Sequence, residues 1–226
     1  MTKPLKVGLM VPINNTTMER ELTSWLPAGT QCITLRIPRG KGMLTSETIP
    51  AYKAQALKLA EEFRSHDIDI LAYGCTAAGF ISGPAADTEL ARALGEVTGK
   101  PVVTTARAMV EALNHAGVND IAVVTPYLEA VNTQLKAFLA DGGIRVRAFD
   151  SLYAPDVDAL GRITGPEVEG VSRRTMTPDC SALFIACSQL PTYEILGGLG
   201  REFGRPVLSS IQSTAWQVRR TLGLTS

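Results

Sequence analysis

Short apolar runs alternate with stretches of helical spacing along the whole chain, a pattern that predicts a mostly parallel α/β sheet. Lys6 to Val11 reads as the first strand. Thr16-Thr17-Met18-Glu19 has capping-box form ahead of a short helix, with Met18, Leu22 and Trp25 on its buried side. A second strand, Gln31 to Ile37, leads into the loop Pro38-Arg39-Gly40-Lys41-Gly42. A helix from Pro50 to Ser65 carries Tyr52, Ala56, Leu59 and Phe63 at helical spacing. The apolar strand that begins at Ile68 then runs into Tyr73-Gly74-Cys75-Thr76-Ala77, and helical pattern resumes from Pro84 to Val97 before a strand at Pro101 to Thr105.

The second half repeats the first. Ala108, Met109, Ala112 and Leu113 precede a helix stop at Gly117-Val118, and Asp120 to Pro126 resembles Lys6 to Pro12 at an offset of 114 residues. A helix bearing Val131, Leu135 and Phe138 ends at Gly142-Gly143, a strand covers Ile144 to Phe149, and a helix near Pro166 to Arg174 follows. Ser181 to Pro191 is again an apolar strand that ends in Cys then a hydroxyl residue, with Cys187 lying 112 residues after Cys75. Arg205 to Ser210 echoes Lys100 to Thr105. Three echoes in the same order predict two similar α/β halves, 1–103 and 104–210, with a C-terminal helix in 211–226 packed back on the first. The site is expected in the crevice between their facing strand ends.

Composition narrows the function. With 226 residues and 45% apolar content the chain can bury a sizeable core, and 22 basic against 22 acidic residues leave no net charge. Neither a basic cluster nor interleaved aromatic and basic residues mark a nucleic-acid surface, and no apolar stretch reaches membrane-spanning length. A cytoplasmic protein is expected, with reduced thiols. Its cysteines, Cys32, Cys75, Cys180 and Cys187, lack metal-ligand spacing and both histidines lie elsewhere, so neither a metal nor any other cofactor is expected. Homo-oligomer formation is left open.

Cys75 and Cys187 are the candidate catalytic residues, because each follows a strand at equivalent places in the repeat. Helix-start amides near them are expected to hold their thiols below the free value. Thr76 and Ser188 after each cysteine suit anion binding through hydroxyl and amide, as does the amide of Ala77. The loop of Arg39 and Lys41 reads as solvated charge in preference to a lid. His66 and His115 precede strands, and neither is assigned to catalysis.

Val11-Pro12-Ile13-Asn14-Asn15-Thr16-Thr17-Met18-Glu19, Tyr73-Gly74-Cys75-Thr76, Thr125-Pro126-Tyr127 and Ala186-Cys187-Ser188-Gln189-Leu190-Pro191 resemble the maleate cis-trans isomerases of the aspartate/glutamate racemase superfamily. That resemblance implies Cys75 as nucleophile, Cys187 as acid/base, and Asn15 and Tyr127 as holders of a substrate carboxylate. It also implies a cofactor-independent isomerase of a small carboxylate or dicarboxylate, with maleate to fumarate the leading reaction. One departure is Val157, which stands where those enzymes have an asparagine in a Pro-Asp-Asn-x-x-x-Gly-Arg stretch; as a substrate-site residue it donates no hydrogen bond. Val157 leaves room for a racemase using the two thiols as opposed bases. Decarboxylation of the arylmalonate type is disfavoured, since that family carries glycine at the Cys75 position. A non-catalytic small-molecule binding protein is a further alternative.

Overall fold

The computed structural model describes residues 3–39 and 42–224. The first half contains β1 (Lys6–Pro12), α1 (Met18–Trp25), β2 (Gln31–Ile37), α2 (Ile49–Ala60), β3 (Ile70–Tyr73), α3 (Thr76–Phe80), α4 (Gly83–Thr98) and β4 (Val102–Thr104). The second contains α5 (Thr105–His115), β5 (Asp120–Thr125), α6 (Glu129–Asp141), β6 (Arg145–Ser151), α7 (Val157–Arg162), α8 (Gly165–Thr175), β7 (Ala182–Ile185), α9 (Tyr193–Phe203), β8 (Val207–Ser209) and α10 (Ser210–Thr221). Each half builds one four-stranded, all-parallel sheet, in the orders β2-β1-β3-β4 and β6-β5-β7-β8. The same connection pattern thus occurs twice, as the internal echoes predict.

Burial explains the strand sequences. Central strands covered on both faces must be apolar along their whole length, and β3 and β7 are fully buried, whereas edge strands β2 and β6 mix buried and exposed positions. The larger apolar cluster runs through both halves. A second cluster joins Val7, Leu9 and Ile70 of the first sheet to Leu22 of α1 and to Ile211, Ala215 and Val218 of α10. The last helix therefore packs against the first sheet, although it follows the second in sequence. We propose a division between residues 103 and 104, with 211–226 returning to the first half; 225 and 226 lie outside the described residues. Among the described residues no helix is long and apolar enough to cross a membrane.

Two local expectations are corrected, and two short helices are added. The helix expected to reach Ser65 ends at Ala60 and tightens into a 3-10 turn, Glu61–Ser65. The short helices α3 and α7 were not signalled by periodicity, because five or six residues hold barely more than one turn. The Thr16 to Glu19 capping box does not form: Asn15 Oδ1 accepts from the amides of Thr17 and Met18 at 3.1 and 2.9 Å instead. A capping box does start α8, from Thr164 and Glu167.

Gly79 lets α3 lie directly on α5. A Cβ there would meet the Ala106 Cβ at 2.4 Å and Asp87 Oδ1 at 2.8 Å, and the Ala106 methyl cannot rotate away. Gly79→Ala should therefore cost about 1–3 kcal/mol of stability through overpacking. Chemical denaturation measures this, and a variant as stable as wild type would mean that the two helices are not locked together.

Candidate active site

Both cysteines stand at the carboxyl edge of their sheets, where parallel α/β folds gather ligand groups. Beyond β3, Gly74 and the extended Cys75 (φ −115°, ψ 96°) turn the chain into α3, with Cys75 at the position just before the helix. Beyond β7, Ala186 and Cys187 lead into a turn closed by the Leu190 amide on the Cys187 carbonyl at 3.3 Å. The two thiols are 4% and 5% exposed and line one narrow cavity of about 40 Å³ between the halves. One water needs about 10–15 Å³ on such a measure, so the cavity selects a small ligand. A groove of about 510 Å³ beside Trp25, His115 and Trp216 contains neither thiol and is wide open to solvent.

Hydrogen bonds across the crevice fix the two cysteine segments against each other. Ser188 Oγ donates to the Gly74 carbonyl at 2.7 Å, and the Ser188 amide donates to Thr76 Oγ1 at 3.2 Å. Asn15 Nδ2 donates to the Ser188 carbonyl at 3.0 Å, with a longer 3.4 Å approach to Ser188 Oγ. Gln189 pairs with Thr16 through Thr16 N to Oε1 and Nε2 to Thr16 Oγ1, each 3.0 Å. Thr76, Ser188 and Asn15 thus line the cavity, but much of their hydrogen-bonding capacity joins the halves.

The donors and acceptors free to meet a ligand come partly from elsewhere. Tyr127 Oη is buried and faces the Cys187 thiol and Thr76, and its ring is held edge-on against Phe80 at 5.7 Å. Arg39 Nε and Asn14 Oδ1 are buried at the cavity without a hydrogen-bond partner among the described residues, while Tyr52, which does not line the cavity, turns its buried hydroxyl toward the Cys75 thiol. Arg39 also donates to the Gly42 carbonyl, and with Met43 and Leu44 it lines the cavity. The amides of Thr76 and Ala77 start α3 and have no intrahelical acceptor. Arg39 therefore points inward, against the expectation of solvated loop charge; Lys41 lies outside the described residues. Val157, expected at the substrate site, is buried at the first position of α7 but does not line the cavity; Leu160, one turn further along the same helix, does.

Sequence reasoning passed over Asn14, Leu160 and Gln189, which line the cavity, and Tyr52, which does not line it but bears on Cys75. Tyr52 was visible only as part of the buried face of α2, and Asn14 only as a neighbour of Asn15. Neither histidine lines the cavity; His115 rests 5.1 Å from the Trp216 ring. Cys32 and Cys180 also lie off the site. Among the described residues, no three His, Cys, Asp or Glu side chains come together as a metal site.

The electrostatics correct one expectation. Burial, the dominant influence, pushes the Cys75 thiol above its ordinary value, although the Ala78 amide, the Arg39 guanidinium and the Tyr52 hydroxyl each favour the thiolate. Helix-start amides help as expected, but desolvation of the charged form outweighs them. Cys187 is pushed up to about 11, again mainly by burial; the Tyr127 hydroxyl and the Gln189 and Leu190 amides favour its thiolate, and negative charge on Cys75 opposes it. The pair therefore resists carrying two charges. Burial also keeps Tyr52 and Tyr127 protonated, hence donors.

Since thiolate accumulates as pH rises through a raised pKa, iodoacetamide labelling of Cys75 in the free protein should still be climbing above pH 9.0, the ordinary thiol value. Removing the nearby cation in Arg39→Gln should move that profile further up. Peptide-mapped labelling rates check both, and a plateau below neutrality would contradict the burial argument.

A family model described as arylmalonate decarboxylase matches residues 8–226. The maleate isomerase of Geobacillus stearothermophilus is 27% identical over 236 residues, taking in 99% of this chain and 94% of that protein. The arylmalonate decarboxylase of Bordetella bronchiseptica is 27% identical over 186 residues, 81% of this chain and 78% of that protein. Among solved structures, the maleate isomerase Iso of Pseudomonas putida superposes with a TM-score of 0.91 at 25% identity, covering 98% of this chain and 94% of that one. A cysteine-to-serine variant of the Nocardia farcinica maleate cis-trans isomerase, carrying a covalently bound succinylcysteine intermediate, gives 0.90 at 27% identity, with coverage of 98% and 94%. With the matched model spanning nearly the whole chain, this protein belongs to the arylmalonate decarboxylase family.

Proposed function

We propose that this chain is a cofactor-independent cis-trans isomerase that converts maleate to fumarate, with Cys75 as nucleophile and Cys187 as acid/base. The observation that carries the reading is the pair of buried thiols sharing one small cavity that the Tyr127 hydroxyl and the Arg39 guanidinium also line. A relative of the same fold holds a succinylcysteine, the adduct expected when a cysteine adds to a four-carbon unsaturated diacid.

The steps follow from the side chains. The Cys75 thiolate forms a carbon–sulfur bond to one alkene carbon, and the π pair moves through the neighbouring carbon into its carboxylate as an enediolate. The Cys187 thiol donates its proton to that carbon and leaves a succinyl adduct on Cys75. The former double bond is now single and rotates. The Cys187 thiolate takes the proton back, the electron pair restores the double bond in trans geometry, and the carbon–sulfur bond breaks to release Cys75 as thiolate. A thiol pushed up to about 11 stays protonated at neutrality, as the acid must.

Tyr127, the Thr76 and Ala77 amides and Arg39 would stabilise the enediolate and the carboxylates by donors held ready in a dry site. Asn15 would contribute the N–H now only loosely directed at Ser188 Oγ, while Thr76 and Ser188 hold the segments in register. Val157 adds no donor, so the second carboxylate relies on the others.

Cys75→Ser should be inactive, because a serine hydroxyl is both a poor nucleophile and a poor leaving group here. Cys187→Ser should lose about 10²- to 10⁴-fold, the usual worth of acid/base assistance, and retain a substrate-mass adduct on Cys75. NMR of maleate in deuterated buffer, with intact-protein mass spectrometry, reads both. Equal impairment with no adduct, together with deuterium entry into a racemised acid, would replace this reading with a two-base racemase.

A further inference from the structure

Glu21 is a buried carboxylate that the proposed chemistry does not use. It sits on α1, is 3% exposed, and is directed at the start of α9 in the other half. Its oxygens accept from the Thr192 amide at 2.9 and 3.1 Å and from the Thr192 hydroxyl at 3.0 Å, and that hydroxyl also lies 3.0 Å from Ser209 Oγ. The Tyr193 amide bears on the carboxylate as well. Burying a carboxylate is costly unless several donors meet it, and here they do so at a helix amino terminus, where negative charge is favoured.

We infer that Glu21 is a positioning residue: it latches the segment from Cys187 to Tyr193 onto α1 and thereby sets the Cys187 thiol against the cavity. The contacts between the two segments run in step, Asn15 with Ser188, Thr16 with Gln189, Glu21 with Thr192, and Trp25 edge-on to Tyr193 at 4.9 Å. Glu21 is the acidic member of that series. The turn it anchors is the one whose Gln189 amide points at Cys187 Sγ at 3.4 Å, so loosening the anchor removes a donor from the thiol.

The repeat makes the latch one-sided. At the 114-residue offset the counterpart of Glu21 is Leu135, an apolar residue with 0% exposure. The Cys75 segment is held from α6 by apolar packing, the Cys187 segment from α1 by a carboxylate. Loss of Glu21 should therefore be felt at Cys187 and spare Cys75.

The role in turnover rests on the isomerase reading, but the latch can be tested without it. In the free protein, Glu21→Ala should raise the initial rate of iodoacetamide labelling at Cys187 by about fivefold or more and leave Cys75 within about twofold, since exposure governs thiol access. Glu21→Gln, which keeps one acceptor, should fall nearer wild type. With maleate, Glu21→Ala should accumulate the adduct on Cys75, because release needs a well-placed Cys187. Equal changes at both cysteines, or none at Cys187, would overturn the latch. Should Glu21→Ala not fold, Thr192→Val, which removes the hydroxyl that the carboxylate accepts from, should raise labelling of Cys187 relative to Cys75, and an unchanged ratio would overturn the latch equally. If the wild type leaves maleate untouched while Cys187 responds selectively, the isomerase reading fails and the latch stands.

Discussion

The site depends on a small set of hydrogen bonds centred on Ser188. Its hydroxyl, amide and carbonyl each engage the opposite half, at Gly74, Thr76 and Asn15 respectively. Because Gly74 and Thr76 flank Cys75, and Ser188 follows Cys187, these bonds bring the backbones beside the two reactive sulfurs into one register. Exposed polar contacts between domains compete with water, but these lie in a buried crevice, where breaking one leaves an unmatched group. The two thiols consequently share a cavity of fixed width, which an addition–rotation–elimination sequence requires.

Much of this was legible in the chain. The repeat offset, the two cysteine frames and the proline-led echoes reported two like sheets, because a buried parallel strand must be apolar along its length and its exit must turn sharply toward the next helix. Asn15, Tyr127, Thr76 and Ser188 were legible as neighbours of the cavity. Their division of labour was not, since a side chain that binds substrate and one that bridges two segments have the same polarity. Arg39 looked like a solvated loop charge because its inward direction is set by the loop after β2, which has no periodicity to read. Glu21 drew no reading from the sequence, since its partner Thr192 is 171 residues away.

The thiol energetics had no sequence signal at all. Amides at a helix start favour a thiolate, and Cys75 has one from Ala78, yet the same enclosure that aims that amide strips the sulfur of water. Which influence dominates depends on depth of burial, a property of the assembled halves. The enclosure is nonetheless useful to the chemistry proposed here. A narrow, largely buried cavity strengthens each donor aimed at the enediolate and limits the water that could quench it.

A duplicated frame would by itself give two equivalent thiols, and the proposed reaction needs unequal ones. The inequality is built by residues just outside the frame. Beyond the edge strand of the first half, two residues past Ile37, Arg39 turns into the cavity and favours the thiolate of Cys75. Its counterpart two residues past Ser151 in the second half is Tyr153, which is exposed, has a positive φ of 47° and brings no charge. Among the described residues no cation bears on Cys187 as Arg39 does on Cys75, and negative charge on Cys75 raises it further. In the proposed reaction, one negative charge shared between two sulfurs is favoured on the sulfur beside the guanidinium, which suits Cys75 to the nucleophile's role and leaves the proton on Cys187. The pseudo-symmetry supplies the facing geometry, and Arg39 breaks it in the direction the chemistry demands.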